Sequence, residues 1–253
     1  MKEVSRYIHS AAFWFLTFFS ALAIHIVSAI AALFIKSEDG RNLFYQKGAR
    51  LWGSLLVGAS MIKMKVRGLE NIPGDTNVIF APNHQSYLDI FILLKILPRP
   101  FRFVVMRKLF KVPVIGQHIK QAGFISLDRK DRKGSIRTIH LIIDMLAKNE
   151  SFVIFPEGKL TLDGRIGEFG RGTSIIIQRS RKPVVPISID GTFGVLPKGA
   201  WKLEPAEVRV NIGKPVYFEK HYVDIDKTSS LDLGNELKAL VEGLMDRGRV
   251  ELC

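Results

Sequence analysis

The chain has one cysteine in 253 residues, and it is the last of them, Cys253. No intrachain disulfide can form, which fits a reducing compartment without establishing one. No His/Cys cluster has metal-ligand spacing, and there is neither a phosphate-binding P-loop nor a GxGxxG turn. The sequence therefore asks for no metal and no nucleotide cofactor. No internal repeat or low-complexity stretch is visible. Acidic residues are scarce, 24 against 37 Lys and Arg, for a net charge of +13. Such a balance implies an anionic partner. Helix-turn-helix, zinc-finger and RNA-binding signatures are all missing, so nucleic acid is not the expected one. Charge is absent altogether between Ile8 and Ile35.

That uncharged segment is 28 residues long. As a straight helix it would reach about 42 Å, against a hydrocarbon thickness of about 30 Å. It is long for a secretory signal core and has no clear small-x-small cleavage site. It reads as a membrane helix, tilted or broken. Lys2 and Arg6 precede it, and Lys36, Arg41, Lys47 and Arg50 follow, so charge biases its orientation only weakly. His9 and His25 read as tolerated polar positions, not ligands. From Asn42 to Met61, the residues Leu43, Phe44, Leu51, Trp52, Leu55, Leu56 and Ala59 recur at helical spacing beside Arg41, Lys47 and Arg50. Two readings fit: an interfacial helix with cations toward lipid phosphates, or a helix packed on a soluble core.

From Lys63 onward, short apolar runs alternate with helical patterns. The expected strands are Lys63–Arg67, Val78–Ala81, Arg102–Val105, Gly123–Leu127, Phe152–Phe155, Val184–Ile189 and Val208–Ile212. The expected helices are Tyr87–Leu97, Arg107–Gln121, Ser135–Lys148, Gly172–Arg179 and Leu231–Arg247. This alternation predicts an α/β fold, a mixed sheet flanked by helices, with residues 63–253 forming the domain and residues 1–62 forming N-terminal membrane-associated helices. In open α/β sheets, ligands bind outside the carboxyl ends of the strands.

Two polar blocks follow strand ends: Asn83-His84-Gln85-Ser86-Tyr87-Leu88-Asp89 and Phe155-Pro156-Glu157-Gly158. With 6 His and 12 Asp in the chain, about 0.3 His–Asp pairs at this spacing arise by chance, so the spacing alone decides nothing. The setting matters more. Ser86-Tyr87-Leu88-Asp89 reads as a capping box opening a helix. Positions five apart on one helix point about 140° away from each other. His84 and Asp89 can meet only if His84 lies in the loop and Asp89 in the first helical turn. The plain alternative is that Asp89 merely caps the helix. Between the two blocks, Arg99 to Arg137 holds 11 Lys or Arg against Asp128 and Asp131, either a solvated basic face or the lining of an anion site.

These residues resemble the glycerolipid acyltransferase family over roughly Lys63 to Gly213. Asn83-His84-(four residues)-Asp89 matches the first block of that family. Gly123-Phe124-Ile125-Ser126-Leu127-Asp128-Arg129 matches the second, Phe155-Pro156-Glu157-Gly158 the third, and Val185-Pro186-Ile187-Ser188-Ile189 the fourth. One block is weak; four in order are specific. The chain departs from the pattern twice. Lys159-Leu160 replaces the family's Thr-Arg, and Met106 stands where members often carry lysine. Both departures touch recognition of the acceptor phosphate.

The resemblance implies transfer of a fatty acyl chain from acyl-CoA or acyl-carrier protein, with no cofactor, to the free hydroxyl of 1-acylglycerol-3-phosphate. Phosphatidic acid would be the product. The alternatives are a lysolipid with another head group, or a non-catalytic basic membrane-binding module. His84 would be the base and Asp89 its orienting carboxylate. Glu157 and Gly158 would contact the acceptor, and Arg129, Lys159 and Arg107 its phosphate. No Ser or Cys is a persuasive nucleophile; Ser86 reads as a cap. Partners would be membrane lipids, at the inner (cytoplasmic) membrane with the catalytic domain facing the cytoplasm.

Overall fold

The alternating apolar runs become a seven-stranded sheet in the computed structural model. It describes the backbone of residues 2–128, 130–223 and 226–250, and for residues 2, 227 and 246–250 the backbone only. Cys253 and Arg129 lie outside the described residues. Two long helices come first, α1 (Lys2–Ala32) and α2 (Glu38–Ala59), followed by β1 (Lys63–Arg67). Then come β2 (Ile79–Pro82), α3 (Leu88–Ile96), β3 (Arg102–Met106), α4 (Ile115–Gln121) and β4 (Ile125–Leu127). The chain continues through α5 (Arg132–Ala147), β5 (Phe152–Val153), α6 (Arg171–Ser180), β6 (Val184–Asp190) and the single turn α7 (Thr192–Val195). It closes with β7 (Glu207–Ile212) and α8 (Lys227–Val250).

The strand order is β1-β7-β6-β2-β5-β3-β4. Every neighbouring pair is parallel except β6 with β7, so the sheet is mixed, as expected. Strand alternation divides the core into two layers, because successive side chains leave opposite faces. Val78 and Phe80 join Phe13, Tyr45, Leu56, Ile92 and Leu93 on one face. Ile79 and Ala81 join Ile142, Ile177, Leu233 and Leu237 on the other. The central strands are buried on both faces, which is why they read as unbroken apolar runs.

One expected helix, Arg107–Gln121, is two pieces. A 3-10 turn spans Arg107–Lys111 and α4 begins only at Ile115. Pro113 separates them: it lacks an N–H and holds Val112 extended, with φ −71° and ψ 124°. Val114 takes the left-handed φ of 65°.

The second N-terminal helix packs on the domain, one of the two readings the sequence allowed. Tyr45, Ala49, Gly53, Leu56 and Val57 are buried against the domain. A methyl on Gly53 would come within 2.8 Å of the Phe91 carbonyl, so α2 and α3 cross in close contact. Leu43, Leu51 and Leu55 face outward.

Helix α1 runs along the domain and is tied to it near both ends. The Ser10 hydroxyl accepts from Leu203 N–H at 3.0 Å, the Trp14 indole donates to the Trp201 carbonyl, and Arg6 pairs with Glu204 at 3.0 Å. Toward its other end, His25 bonds Gln117 at 3.2 Å. Residues Glu3–Ala32 are long and apolar enough to cross a membrane. The outer face of α1 carries Ile8, Phe15, Phe18, Phe19, Val27 and Ile30, with Phe15 72% exposed.

Candidate active site

The parallel strands β2, β5, β3 and β4 deliver their ends to one edge of the sheet. His84 follows β2, Glu157 follows β5, and Arg107 follows β3. Loop 83–87 is fastened from several sides. Asn83 grips the backbone of Ile189, donating to its carbonyl at 2.9 Å and accepting its N–H at 2.7 Å. The His84 carbonyl accepts from Thr161 N–H at 3.0 Å. The imidazole lies flat on Phe155, ring centres 3.8 Å apart and planes 20° from parallel.

Asp89 sits in the first turn of α3 and is fully buried. Its Oδ2 accepts three hydrogen bonds: from His84 Nδ1 at 2.9 Å, Gln85 N–H at 2.7 Å and Ser86 N–H at 2.9 Å. Its Oδ1 accepts from the Thr192 hydroxyl at 2.6 Å. The Ser86 contact is half of the expected capping box. The other half is shifted: the Ser86 hydroxyl accepts from Leu88 N–H at 3.1 Å and donates to the Leu196 carbonyl at 2.7 Å. Cap and histidine partner are thus one carboxylate in both roles. Because Oδ2 already accepts two backbone N–H groups, it is an acceptor toward the ring as well. Nδ1 therefore carries the proton and Nε2 is left as the lone-pair nitrogen.

Glu157 is brought to the same place, through the backbone. Its Oε1 accepts from His84 N–H at 2.8 Å and its Oε2 from Gly167 N–H at 2.9 Å. Burial pushes this carboxyl above its ordinary value, and the two N–H bonds, together with the nearby His84, pull it part of the way back. Gly158 adopts a left-handed φ of 67°, which glycine tolerates best. Lys159 is exposed, whereas Leu160, in the position of the family's arginine, is buried.

The basic stretch divides. Arg99 is spent on the carbonyls of Pro73 and Thr76. Arg102 is buried between the Gly123 carbonyl and Glu150, each at 2.8 Å. Both are spent on groups of the chain itself. Arg107 is largely exposed and pairs with Asp128 at 3.3 Å. Beside it Ser126, Asp128, Asp131, Arg137 and Thr138 line an open cavity of about 260 Å³. Among the described residues, no group of three or more His, Cys, Asp or Glu could hold a metal ion.

Sequence reasoning passed over Thr192. It lies 103 residues from Asp89, and only its place two residues beyond β6, close to the fourth block, hinted at it. Asn83 was visible within its block, but its grip on Ile189 was not.

A layered α/β fold that gathers a histidine–carboxylate pair at a strand end defines a class of α/β proteins with a candidate ligand site at the carboxyl edge of the sheet. Within that class the chain belongs to the Acyltransferase family, whose model matches residues 63–190. It is 36% identical over 182 residues to a chloroplastic 1-acyl-sn-glycerol-3-phosphate acyltransferase of Brassica napus, covering 71% of this chain and 52% of that one. It is 33% identical over 160 residues to the 1-acyl-sn-glycerol-3-phosphate acyltransferase of Pseudomonas aeruginosa, covering 62% and 61%. The chain thus spans about half the length of the plant relatives it matches. The crystal structure of the 1-acyl-sn-glycerophosphate acyltransferase PlsC from Thermotoga maritima superposes with a TM-score of 0.81 at 23% identity, over 97% of this chain and 98% of that one. The two share a fold along nearly their whole length.

Proposed function

We propose that the chain is an O-acyltransferase that moves a fatty acyl group from an acyl thioester to the free hydroxyl of 1-acylglycerol-3-phosphate, giving phosphatidic acid. One observation carries this reading: the His84–Asp89 pair, 2.9 Å apart with the carboxylate fully buried, in a chain of the Acyltransferase family. Nε2 takes the acceptor proton as the hydroxyl oxygen attacks the thioester carbonyl. The tetrahedral intermediate collapses, the carbon–sulfur bond breaks, and the imidazolium returns its proton to the departing thiolate. Asp89 stabilises the imidazolium without itself taking the proton. The acceptor oxygen is the nucleophile, so no acyl-enzyme forms. Glu157 sets the position of His84 through the backbone, and Gly158 lets the loop turn there. Lys159, Arg107 and Arg129 are proposed to attract the acceptor phosphate. The thioester is that of coenzyme A or of acyl-carrier protein.

The catalytic face is proposed to meet a membrane, at the cytoplasmic side of the inner membrane, with α1 lying along the surface. A helix bound to the domain near both of its ends cannot also cross a bilayer independently. Its outward phenylalanines and the outward leucines of α2 suit the acyl boundary. A second reading, a lysolipid with another head group, draws on Leu160: its buried apolar side chain stands where the family places a phosphate-binding arginine.

The test is release of free thiol from palmitoyl-CoA on adding 1-oleoylglycerol-3-phosphate. His84→Ala is expected to lose at least a thousandfold in kcat while keeping its melting temperature, since a loop base is removed and no core is emptied. Thiol release by His84→Ala at the wild-type rate overturns the mechanism.

A further inference from the structure

Asp89 has two oxygens, and they are held by different parts of the chain. Three donors converge on Oδ2, all from residues 84–86. On Oδ1 there is one, the Thr192 hydroxyl at 2.6 Å. Both residues are fully buried. A carboxylate held at one oxygen can still swing about its terminal torsion, which is broad and soft. A second oxygen fixed from another part of the chain removes that freedom. A charge-assisted bond of this length is among the stronger ones a side chain makes.

Thr192 is itself placed without slack. It is the first residue of α7, just after Gly191, whose φ is 96°. A side chain at Gly191 would run into the Glu207 carbonyl, so the turn calls for glycine at this position. The Thr192 carbonyl accepts from Leu196 N–H at 3.0 Å, and the Leu196 carbonyl in turn accepts from the Ser86 hydroxyl at 2.7 Å. The end of β6 and its following turn therefore hold the His84–Asp89 loop at three points: Ile189 to Asn83, Thr192 to Asp89 and Leu196 to Ser86. Two of these contacts run through the side chains of Asn83 and Ser86. The Thr192 contact is the one that bears on the carboxylate facing the imidazole. Threonine also suits the task, because its branched Cβ leaves few rotamers open.

We propose that Thr192 is a positioning residue for the base. Its hydroxyl orients the Asp89 carboxylate and thereby aims the His84 imidazole at the acceptor hydroxyl. This rests on the functional reading above. It assigns Thr192 no contact with substrate, so its effect falls on turnover and spares substrate affinity.

The experiment is steady-state kinetics of the full chain in mixed micelles, with palmitoyl-CoA and 1-oleoylglycerol-3-phosphate varied in turn. Thr192→Val keeps the shape and removes the hydroxyl. It is expected to lower kcat at least tenfold, with both KM values within twofold of wild type. Thr192→Ser keeps the hydroxyl and loses the methyl, and should recover kcat to within threefold of wild type. A Thr192→Val enzyme with wild-type kcat overturns the proposal. So does a Thr192→Ser enzyme as slow as Thr192→Val, because methyl packing then accounts for the loss. If Thr192→Val does not fold, Thr192→Ser against Thr192→Ala isolates the hydroxyl: a kcat ratio of ten or more supports the role, and a ratio near one overturns it. His84→Ala runs beside them. If it is inactive, the functional reading stands and the Thr192 variants decide the inference alone; if it is fully active, both fall.

Discussion

Two regions at the same edge of the sheet are built in opposite ways. In the loop after β2, Asn83, His84, Ser86 and Asp89 are each tied by hydrogen bonds to other parts of the chain, most of them buried. In the loops after β3 and β5, Arg107 and Lys159 extend into solvent, and Arg107 pairs with the half-buried Asp128 at 3.3 Å. The difference follows from what each must do. A general base gains its rate from being held in one geometry, and misplacement by about 1 Å can cost a hundredfold. A long cation meeting a mobile lipid head group can adjust as the ligand arrives. Rigid interlock and solvated reach therefore coexist a few residues apart, and substitutions in the two regions should differ in size and kind.

The sharpest contrast should come from Glu157. Removing its carboxylate leaves the N–H groups of His84 and Gly167 without their acceptor, at about 1–3 kcal/mol for each buried orphan. Glu157→Ala should therefore lose kcat a hundredfold or more and melt several degrees lower. Glu157→Gln retains one acceptor and should fall between. The shifted carboxyl adds a sign. Burial raises it, so the stability it contributes is fully present below its ordinary value of 4.5 and is lost as pH rises through the folded value. Denaturant midpoints measured across that range should decline with pH more steeply in wild type than in Glu157→Gln. Wild-type turnover in Glu157→Ala would break the comparison, because the interlock would then be ornamental.

This contrast also explains what could be read from the sequence. Most strands are legible because a short apolar or alternating run is closed by a turn residue: Gly68 after β1, Asn83 after β2, Gly191 after β6 and Gly213 after β7. Lys63–Arg67 coincides with β1, and Phe152–Phe155 shortens to Phe152–Val153 as the chain bends into the site. The break at Pro113 was legible in principle; the apolar periodicity on either side of it masked it. The His84–Asp89 pair was recoverable because both members lie within one loop and one helical turn. Thr192 was not, since its nearness to Asp89 depends on β6 lying beside β2, a fact of topology that no local pattern encodes. Nor could the basic stretch be sorted. Arg102 and Arg107 look alike in sequence, yet one is buried in a structural pair with Glu150 and the other is exposed.

The surface of α1 extends the comparison to the membrane. Phe15 and Phe19 stack with ring centres 5.9 Å apart on the outward face. Burying a phenylalanine side chain in an apolar phase is worth about 1.5–3 kcal/mol. Phe15→Ser with Phe19→Ser should therefore weaken binding to phosphatidylglycerol vesicles about a hundredfold, while thiol release in detergent micelles stays near wild type. A parallel loss of activity in micelles would mean that this face supports the fold and does not serve as a lipid contact.

The smallest effects are expected at the exposed cations Lys159 and Arg107, and Lys159 discriminates most finely. The side chain is exposed, so any contact it makes with phosphate is partly screened, and exposed ion pairs are worth little, about 0.2–1 kcal/mol. A charge-assisted contact that becomes dehydrated on binding is worth more. Lys159→Met should accordingly raise the KM for 1-oleoylglycerol-3-phosphate about three- to tenfold, with kcat and the palmitoyl-CoA KM nearly unchanged. Arg107→Met should do less, because the Asp128 carboxylate already offsets its charge. The same two variants assayed on 1-oleoylglycerophosphocholine test the head group. If the phosphate monoester is the acceptor, its preference over the choline ester should shrink in Lys159→Met by the same factor that its KM rises. If wild type prefers the choline ester and Lys159→Met changes nothing, the buried Leu160 marks a site remade for another head group. That result would still leave the His84–Asp89 pair, and the interlock that holds it, as the chemistry common to both.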